Sequence, residues 1–520
     1  MRKTRKPGSQ IPTPKADGLQ IRQNSRSAFL PLNGGFYLVL LALMLVFAIY
    51  TATQFPYTYI SMEGDDFWVL TWDFWHLKLA TLPAVTMWLS DWLTQFYSSL
   101  YIAASIEALV LGLIGVLAYA ALSPLLGRGW GRLLALLPPV LLGFYCTFSL
   151  SFLLQWVFFF TLLLIYKLIP NFKGKIVWSL ICVPVGFLLM RTPLIAILLV
   201  CQATLAFKSY GAKKCAYWLL PMMILGFTPL AYSQQVAFIP FKERYTFWGT
   251  HFRPLTGLYN LEGECVKKCV CLSNEQRWED LLYKEHVRQD AQRGKVVALR
   301  YALLAESALG TLPENISYYP IRDENQFLFP HEQDPVAQQF NRLFYLNLGV
   351  YDEAFHQAQE YSLLMPNGNC FSSLRQLVNY SIEEGEWDIA EKFLQVLSKS
   401  SCHKKFVEDS RLKIEDSKVK GKWSNGKCEV PLRADNFVGG YPLPIEMLRL
   451  ARYYNDNKQE PQSPNYQSSN CQIKKMLDYA ICAYMLRGDR NSFLIATKAF
   501  GIYKAEELPK AYQEFLEKYP

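Results

Sequence analysis

The chain has 520 residues, of which 51% are hydrophobic and 15% aromatic, with 53 Lys+Arg against 44 Asp+Glu. Residues 1–240 carry 17 Lys+Arg and 7 Asp+Glu, a net of +10, and residues 241–520 a net of −1, so the positive excess lies wholly in the apolar half. Charge set between apolar runs marks membrane topology, and it excludes the basic soluble face that nucleic-acid binding requires. No phosphate loop, dinucleotide fingerprint, nucleophile elbow or HExxH motif occurs, which leaves soluble nucleotide chemistry without support.

In chain order, residues 1–35 form a basic tail with Arg2, Lys3, Arg5, Lys6, Lys15, Arg22 and Arg26. The apolar run 36–55 has roughly the 20 residues that a bilayer-crossing helix needs. It reads as an uncleaved first span with a cytoplasmic N-terminus. The loop 56–98 holds Glu63, Asp65, Asp66, Asp73 and Asp91 against Lys78 alone, which places it on the outer side. Within it, residues 88–97 are amphipathic and suit the membrane surface. Trp68, Trp72, Trp75, Trp88 and Trp92 fit an interfacial aromatic belt, or stacking against a sugar ring.

Residues 99–122 form the second span. The basic loop Gly127-Arg128-Gly129-Trp130-Gly131-Arg132 returns the chain to the cytoplasm. Residues 133–168 and 176–207 are each too long for one span. They read as hairpins, broken near residues 138–151 and at Met190-Arg191-Thr192-Pro193. A last span over 216–238 gives about seven in all for the bundle 36–240. The protein is then integral to the inner (plasma) membrane, with its C-terminal half extracytoplasmic. Eight cysteines in residues 241–520 suit an oxidising compartment, with three bridges at most. Cys265, Cys269 and Cys271 lack a nearby fourth ligand, so no zinc site is expected.

Residues 241–275 read as a linker and 276–520 as a soluble helical domain. Asn347-Leu348-Gly349-Val350-Tyr351-Asp352-Glu353-Ala354 and Glu383-Glu384-Gly385-Glu386-Trp387-Asp388-Ile389-Ala390 are two copies of one pattern, 36 residues apart. A helix ends at glycine and the next begins at an aromatic-acidic turn. Leu486-Arg487-Gly488-Asp489 is a looser copy, and Gly310 closes another candidate. The pattern resembles tetratricopeptide-type repeats, whose period is about 34 residues. That resemblance implies an all-α, solenoid-like array with a concave surface for a protein or peptide.

Ser61-Met62-Glu63-Gly64-Asp65-Asp66-Phe67-Trp68 sets three carboxylates directly after the first span. They could bind a divalent cation, act as a general base, or mark the water boundary. Glu107 lies within the second span, where an ionisable group is a functional candidate unless it is a protonated, hydrogen-bonded carboxyl. The acidic motif, the surface stretch, the paired short spans and Leu188-Leu189-Met190-Arg191-Thr192-Pro193-Leu194 follow an order that resembles the GT-C superfamily of membrane glycosyltransferases. The resemblance covers residues 36–240. It implies a polyprenyl-phosphate sugar donor, Asp65 or Asp66 as the base, and Glu63 as an acceptor or metal contact. It also implies Arg191 on the donor phosphate, which a guanidinium grips through paired hydrogen bonds. Trp68 and Glu107 complete the expected substrate-binding set. The sequence departs from the family's pattern in reading Glu-Gly-Asp-Asp and in having no acidic residue between Glu107 and Glu243. The whole chain also looks similar to an uncharacterised family of bacterial polytopic membrane proteins with a repeat-like tail.

Overall fold

The computed structural model describes residues 34–80, 83–126, 128–145, 150–235, 261–329, 334–365, 369–383, 385–400, 402–419, 437–438, 441–442, 444–456, 467–498 and 508–518. The protein is all-α. Among the described residues, the β structure is a two-residue antiparallel ladder, Phe437–Val438 with Tyr441–Pro442. The basic tail, the start of the expected linker and Cys428 lie outside the described residues. The chain divides into two compact units. The first comprises residues 1–50, 81–86 and 104–255, and the second residues 51–80, 87–103 and 256–520.

Helices α1 (Gly34–Gln54), α2 (Pro56–Asp65), α3 (Trp72–Ala80), α4 (Ala84–Thr94) and α5 (Leu100–Leu126) are followed by α6 (Arg128–Val140), α7 (Leu150–Leu168), α8 (Phe172–Leu189), α9 (Thr192–Tyr210) and α10 (Leu219–Gln235). Five of the described helices are long and apolar enough to cross a membrane: α1, residues 100–122 of α5, α7, α8 and α9. Two further segments are shorter, an apolar stretch Leu133–Gly143 and the 17-residue α10. Pro138 and Pro139 lie inside α6, which passes directly into a π-helical turn at Leu141–Tyr145. A proline removes the amide that the α-ladder needs and widens its register.

In the first unit, Leu40, Met44 and Phe47 of α1 share a core with Leu111 and Ile114 of α5 and Ile195 and Leu198 of α9. The opposite face of α1 is bare, with Leu38, Leu41 and Leu45 each more than 60% exposed. A contiguous apolar face of this kind is a lipid-facing or partner-facing surface. Several polar groups inside the unit are paired. Ser179 Oγ donates to Gln202 Oε1 (2.7 Å) and accepts from Trp218 Nε1 (3.0 Å). Lys167 Nζ donates to the carbonyls of Ala120 (3.2 Å) and Ala121 (2.7 Å).

The second unit joins the acidic loop to the C-terminal helices: α11 (Leu261–Asn274), α12 (Val287–Gln292), α13 (Val296–Leu309), α14 (Pro335–Leu348), α15 (Tyr351–Leu364), α16 (Phe371–Glu383), α17 (Trp387–Ser398), α18 (Lys404–Val419), α19 (Pro444–Asp456), α20 (Gln467–Arg487), α21 (Arg490–Lys498) and α22 (Lys510–Lys518). The 261–274 part of the expected linker is thus a helix. It buries Cys269 and Leu272 in the main core. The α14–α15 and α16–α17 turns share one geometry. Gly349 and Gly385 both take φ of +75°. Val350 N–H donates to the Tyr345 carbonyl (2.9 Å) and Glu386 N–H to that of Ser381 (2.8 Å). This six-to-one closure satisfies a helix-end carbonyl and favours glycine at its left-handed position.

A second core is shared between the loop and the tail. Phe67, Trp68, Val69 and Phe74 are buried together with Phe371, Leu374 and Val378 of α16 and Leu394 of α17. The loop 56–98, which sequence order sets among the spans, therefore belongs largely to the helical tail's unit. Cys182, Cys201, Cys215, Cys265, Cys269, Cys271, Cys370, Cys402 and Cys482 are free thiols.

Candidate functional site

Helix α2 opens with Pro56 in its first turn and places its N-terminus against α11. Glu264 caps that end. Its Oε1 accepts from Tyr57 N–H (2.7 Å), and its Oε2 accepts from Thr58 N–H (2.9 Å) and Thr58 Oγ1 (2.5 Å). A carboxylate there satisfies orphan amides and meets the positive end of the helix dipole. Lys267, one helical turn further along α11, donates to Thr58 Oγ1 (3.2 Å).

The other end of α2 carries the acidic motif. Gly64 packs so closely on α16 that an added Cβ would lie 3.3 Å from Ser372 Cβ. A side chain there would require Ser372 to give by a few tenths of an ångström. Beside it, Asp65 Oδ1 accepts from the Tyr361 hydroxyl, and Oδ2 accepts from Ser61 Oγ (3.0 Å). Burial raises the Asp65 pKa, and these hydrogen bonds with the Lys267 charge offset only part of the rise. Burial likewise raises Glu63, against the pull of Arg375. Burial also lowers Lys267, which Asp65 and Glu264 oppose.

These side chains surround a cavity of about 460 Å³ lined by residues of α2, α11, α14, α15 and α16. That volume lies within the range of about 300–1,000 Å³ typical of small-molecule sites. Glu63, Asp65, Glu275, Lys267 and Arg375 supply its charges, and Asn274, Gln339, Gln376 and Asn379 its amides. Gln376 Oε1 is buried without a hydrogen-bond donor.

Asp66 and Trp68 are placed differently and are not among the cavity's lining residues. Asp66 lies in a buried cluster with Asp91, Thr94 and Lys78, and Lys78 is ion-paired with Asp91. Burial, reinforced by the Asp91 charge, pushes Asp66 up to about 8. Trp68 is 6% exposed. Its carbonyl accepts from Gln95 Nε2 (2.8 Å), and its ring meets Trp88 edge-on, 5.5 Å between centroids.

Arg191 and Glu107 belong to the first unit. Arg191 is the half-buried N-cap of α9, and its backbone N–H donates to Gln155 Oε1 (3.0 Å). Glu107 is buried in α5, 1% exposed. No group of three or more His, Cys, Asp and Glu able to hold a metal ion occurs among the described residues.

The model of a family of unknown function, DUF6057, matches residues 31–517. The chain belongs to this family. The match runs through both units, so the DUF6057 module comprises the apolar helices and the helical tail together. Comparison with curated proteins and with solved structures gives no match.

In this DUF6057 chain, sequence spacing pointed to Glu63 and Asp65 but missed Glu264, Lys267, Tyr361 and Arg375. None of the four lies in a motif. The one local signal was Glu264 and Lys267 three residues apart, a spacing that places both on one helical face.

Proposed function

We propose that this DUF6057 protein is a membrane-embedded glycosyltransferase of GT-C type. It works at the outer face of the plasma membrane, with its N-terminus in the cytoplasm, and moves a sugar from a polyprenyl-phosphate donor to an acceptor hydroxyl. The supporting observation is the cavity in which Glu63 and Asp65, directly following the first apolar helix, meet Lys267 and Arg375. Of the three cavity carboxylates, Glu275 is ion-paired with Arg277 (3.1 Å) and Asp65 already accepts hydrogen bonds on both oxygens. Glu63 has no hydrogen bond or ion pair with any described residue, and burial raises its pKa toward that of an effective general base.

In the proposed reaction the acceptor hydroxyl loses its proton to Glu63, and the acceptor oxygen bonds the anomeric carbon. The bond from that carbon to the phosphate oxygen breaks, and polyprenyl phosphate leaves with the electron pair. Asp65 holds the end of α2 through Tyr361 and Ser61. Lys267 and Arg375, the cations of the same cavity, offset the charge on the departing phosphate.

The test is complementation of a deletion strain, with envelope glycans read by mass spectrometry. A glycan lost in the deletion is expected to return with the wild type and with Asp66→Asn. It should stay about 10²–10⁴-fold lower with Glu63→Gln, the usual scale of general-base loss. Full restoration by Glu63→Gln, or no glycan change in the deletion, rules the enzyme out.

The repeated glycine turns favour a second reading, a non-enzymatic membrane-anchored helical-repeat scaffold that holds an envelope protein or peptide. It predicts that Glu63→Gln complements as well as the wild type does.

A further inference from the structure

Two opposite charges face the cavity from different helices and do not neutralise each other. Glu63 comes from α2 and Arg375 from α16, and they interact across the space without an ion pair. The Arg375 guanidinium lies 5.7 Å from the centroid of the Phe406 ring, a contact that steadies it. The wall between them is polar, with Ser372, Gln376 and Asn379 on α16.

We propose that this cavity binds an anionic pyranoside, a sugar bearing a carboxylate or phosphate, with its anion on Arg375 and its ring hydroxyls on Gln376, Asn379 and Glu63. A hydroxyl both donates and accepts, which matches a mixed wall of carboxylate and amides. A neutral sugar would leave Arg375 unused. A zwitterionic dipeptide would satisfy the two charges but brings one peptide N–H and one peptide carbonyl to the Ser372, Gln376 and Asn379 wall, where a pyranoside brings several hydroxyls. The volume holds a small ligand and excludes a folded partner. This inference rests on the transfer reading in one respect: the anionic pyranoside is the acceptor, and Glu63 meets the hydroxyl that reacts.

The test is ligand binding to the full-length protein in nanodiscs, with methyl glucuronide, methyl glucoside 6-phosphate, methyl glucoside and dialanine as probes. Both anionic sugars are expected to bind at least tenfold more tightly than methyl glucoside. Arg375→Gln should bring them down to the level of the neutral sugar, and Arg375→Lys should restore part of the difference. Because Arg375 is exposed, its variants should unfold at the wild-type temperature. Equal affinity for charged and neutral sugars, an unchanged preference in Arg375→Gln, tighter binding of dialanine, or no binding of either anionic sugar each overturns the assignment. If the anionic sugars bind as expected and Glu63→Gln complements fully, the transfer reading falls and the binding site stands.

Discussion

Asp66 shows how strongly context separates adjacent carboxylates. Asp65 and Asp66 are neighbours in sequence, yet Asp65 lines a cavity while Asp66 is buried with Asp91 and the ion-paired Lys78. The folded-state pKa of Asp66, about 8, lies above the unfolded value near 3.9. The native state therefore binds more protons than the unfolded chain between those limits. The stability that Asp66 contributes is fully present below about pH 4 and is lost as pH rises through about 8. Melting of the purified protein should accordingly drop between pH 5 and about pH 9, and Asp66→Asn should flatten that drop. An unchanged pH profile in the variant would show that protonation of Asp66 does not set the drop. Glu264 gives a second expectation at this scale. Glu264→Ala leaves two α2 amides and the Thr58 hydroxyl without their acceptor, a loss of about 1–3 kcal/mol. Chemical denaturation measures it, and a change within error would mean that water replaces the cap. Neither role is readable from sequence, because the Glu264 contact to Tyr57 spans 207 positions.

Among the elements, the glycine-closed hairpins were legible, since the cap has a local chemical signature at Gly349 and Gly385. Helix α11 was not. Its run Cys265-Val266-Lys267-Lys268-Cys269-Val270-Cys271 mixes charge and thiols without a clear apolar stripe, and its helicity rests on packing in the core through Cys269 and Leu272. The surface stretch was partly legible. Helix α4 and the turn after it point Ser90, Asp91, Thr94 and Gln95 inward, while Trp92 and Phe96 are exposed. An inward polar face with outward aromatic rings suits an interfacial position, where rings sit at headgroup level. The shared core of loop and tail escaped sequence reading because 297 positions separate Phe74 from Phe371. It has an energetic consequence. Trp68→Ala in the full-length protein should cost about 3–5 kcal/mol, as for other large buried aromatics. Differential scanning calorimetry in detergent should show a lower midpoint for the transition of the helical tail. A tail transition that does not move would mean that the loop adds nothing to the core around Phe371 and Leu374.

At the scale of the molecule, the all-α class was readable from hydropathy and helical patterning, whereas the compact units were not, because residues 51–80 and 87–103 fall with the C-terminal helices. The apolar helices do not all declare themselves by length. Five are long enough for a bilayer, while the Leu133–Gly143 stretch and α10 are shorter. Short segments of this kind are accommodated by tilt, local thinning or packing against neighbours, so residue counting fixes them poorly. Sidedness depends on that count, and glycosyl transfer from a polyprenyl-phosphate donor at the outer face depends on sidedness. Cys402, an exposed thiol of the tail, offers the direct measurement. Intact spheroplasts are treated with a membrane-impermeant maleimide, and mass spectrometry locates the label, with Cys402→Ser as the control. Labelling of Cys402 in sealed cells is the predicted result. Labelling only after lysis would put the tail and the Glu63 cavity in the cytoplasm and contradict glycosyl transfer at the outer face.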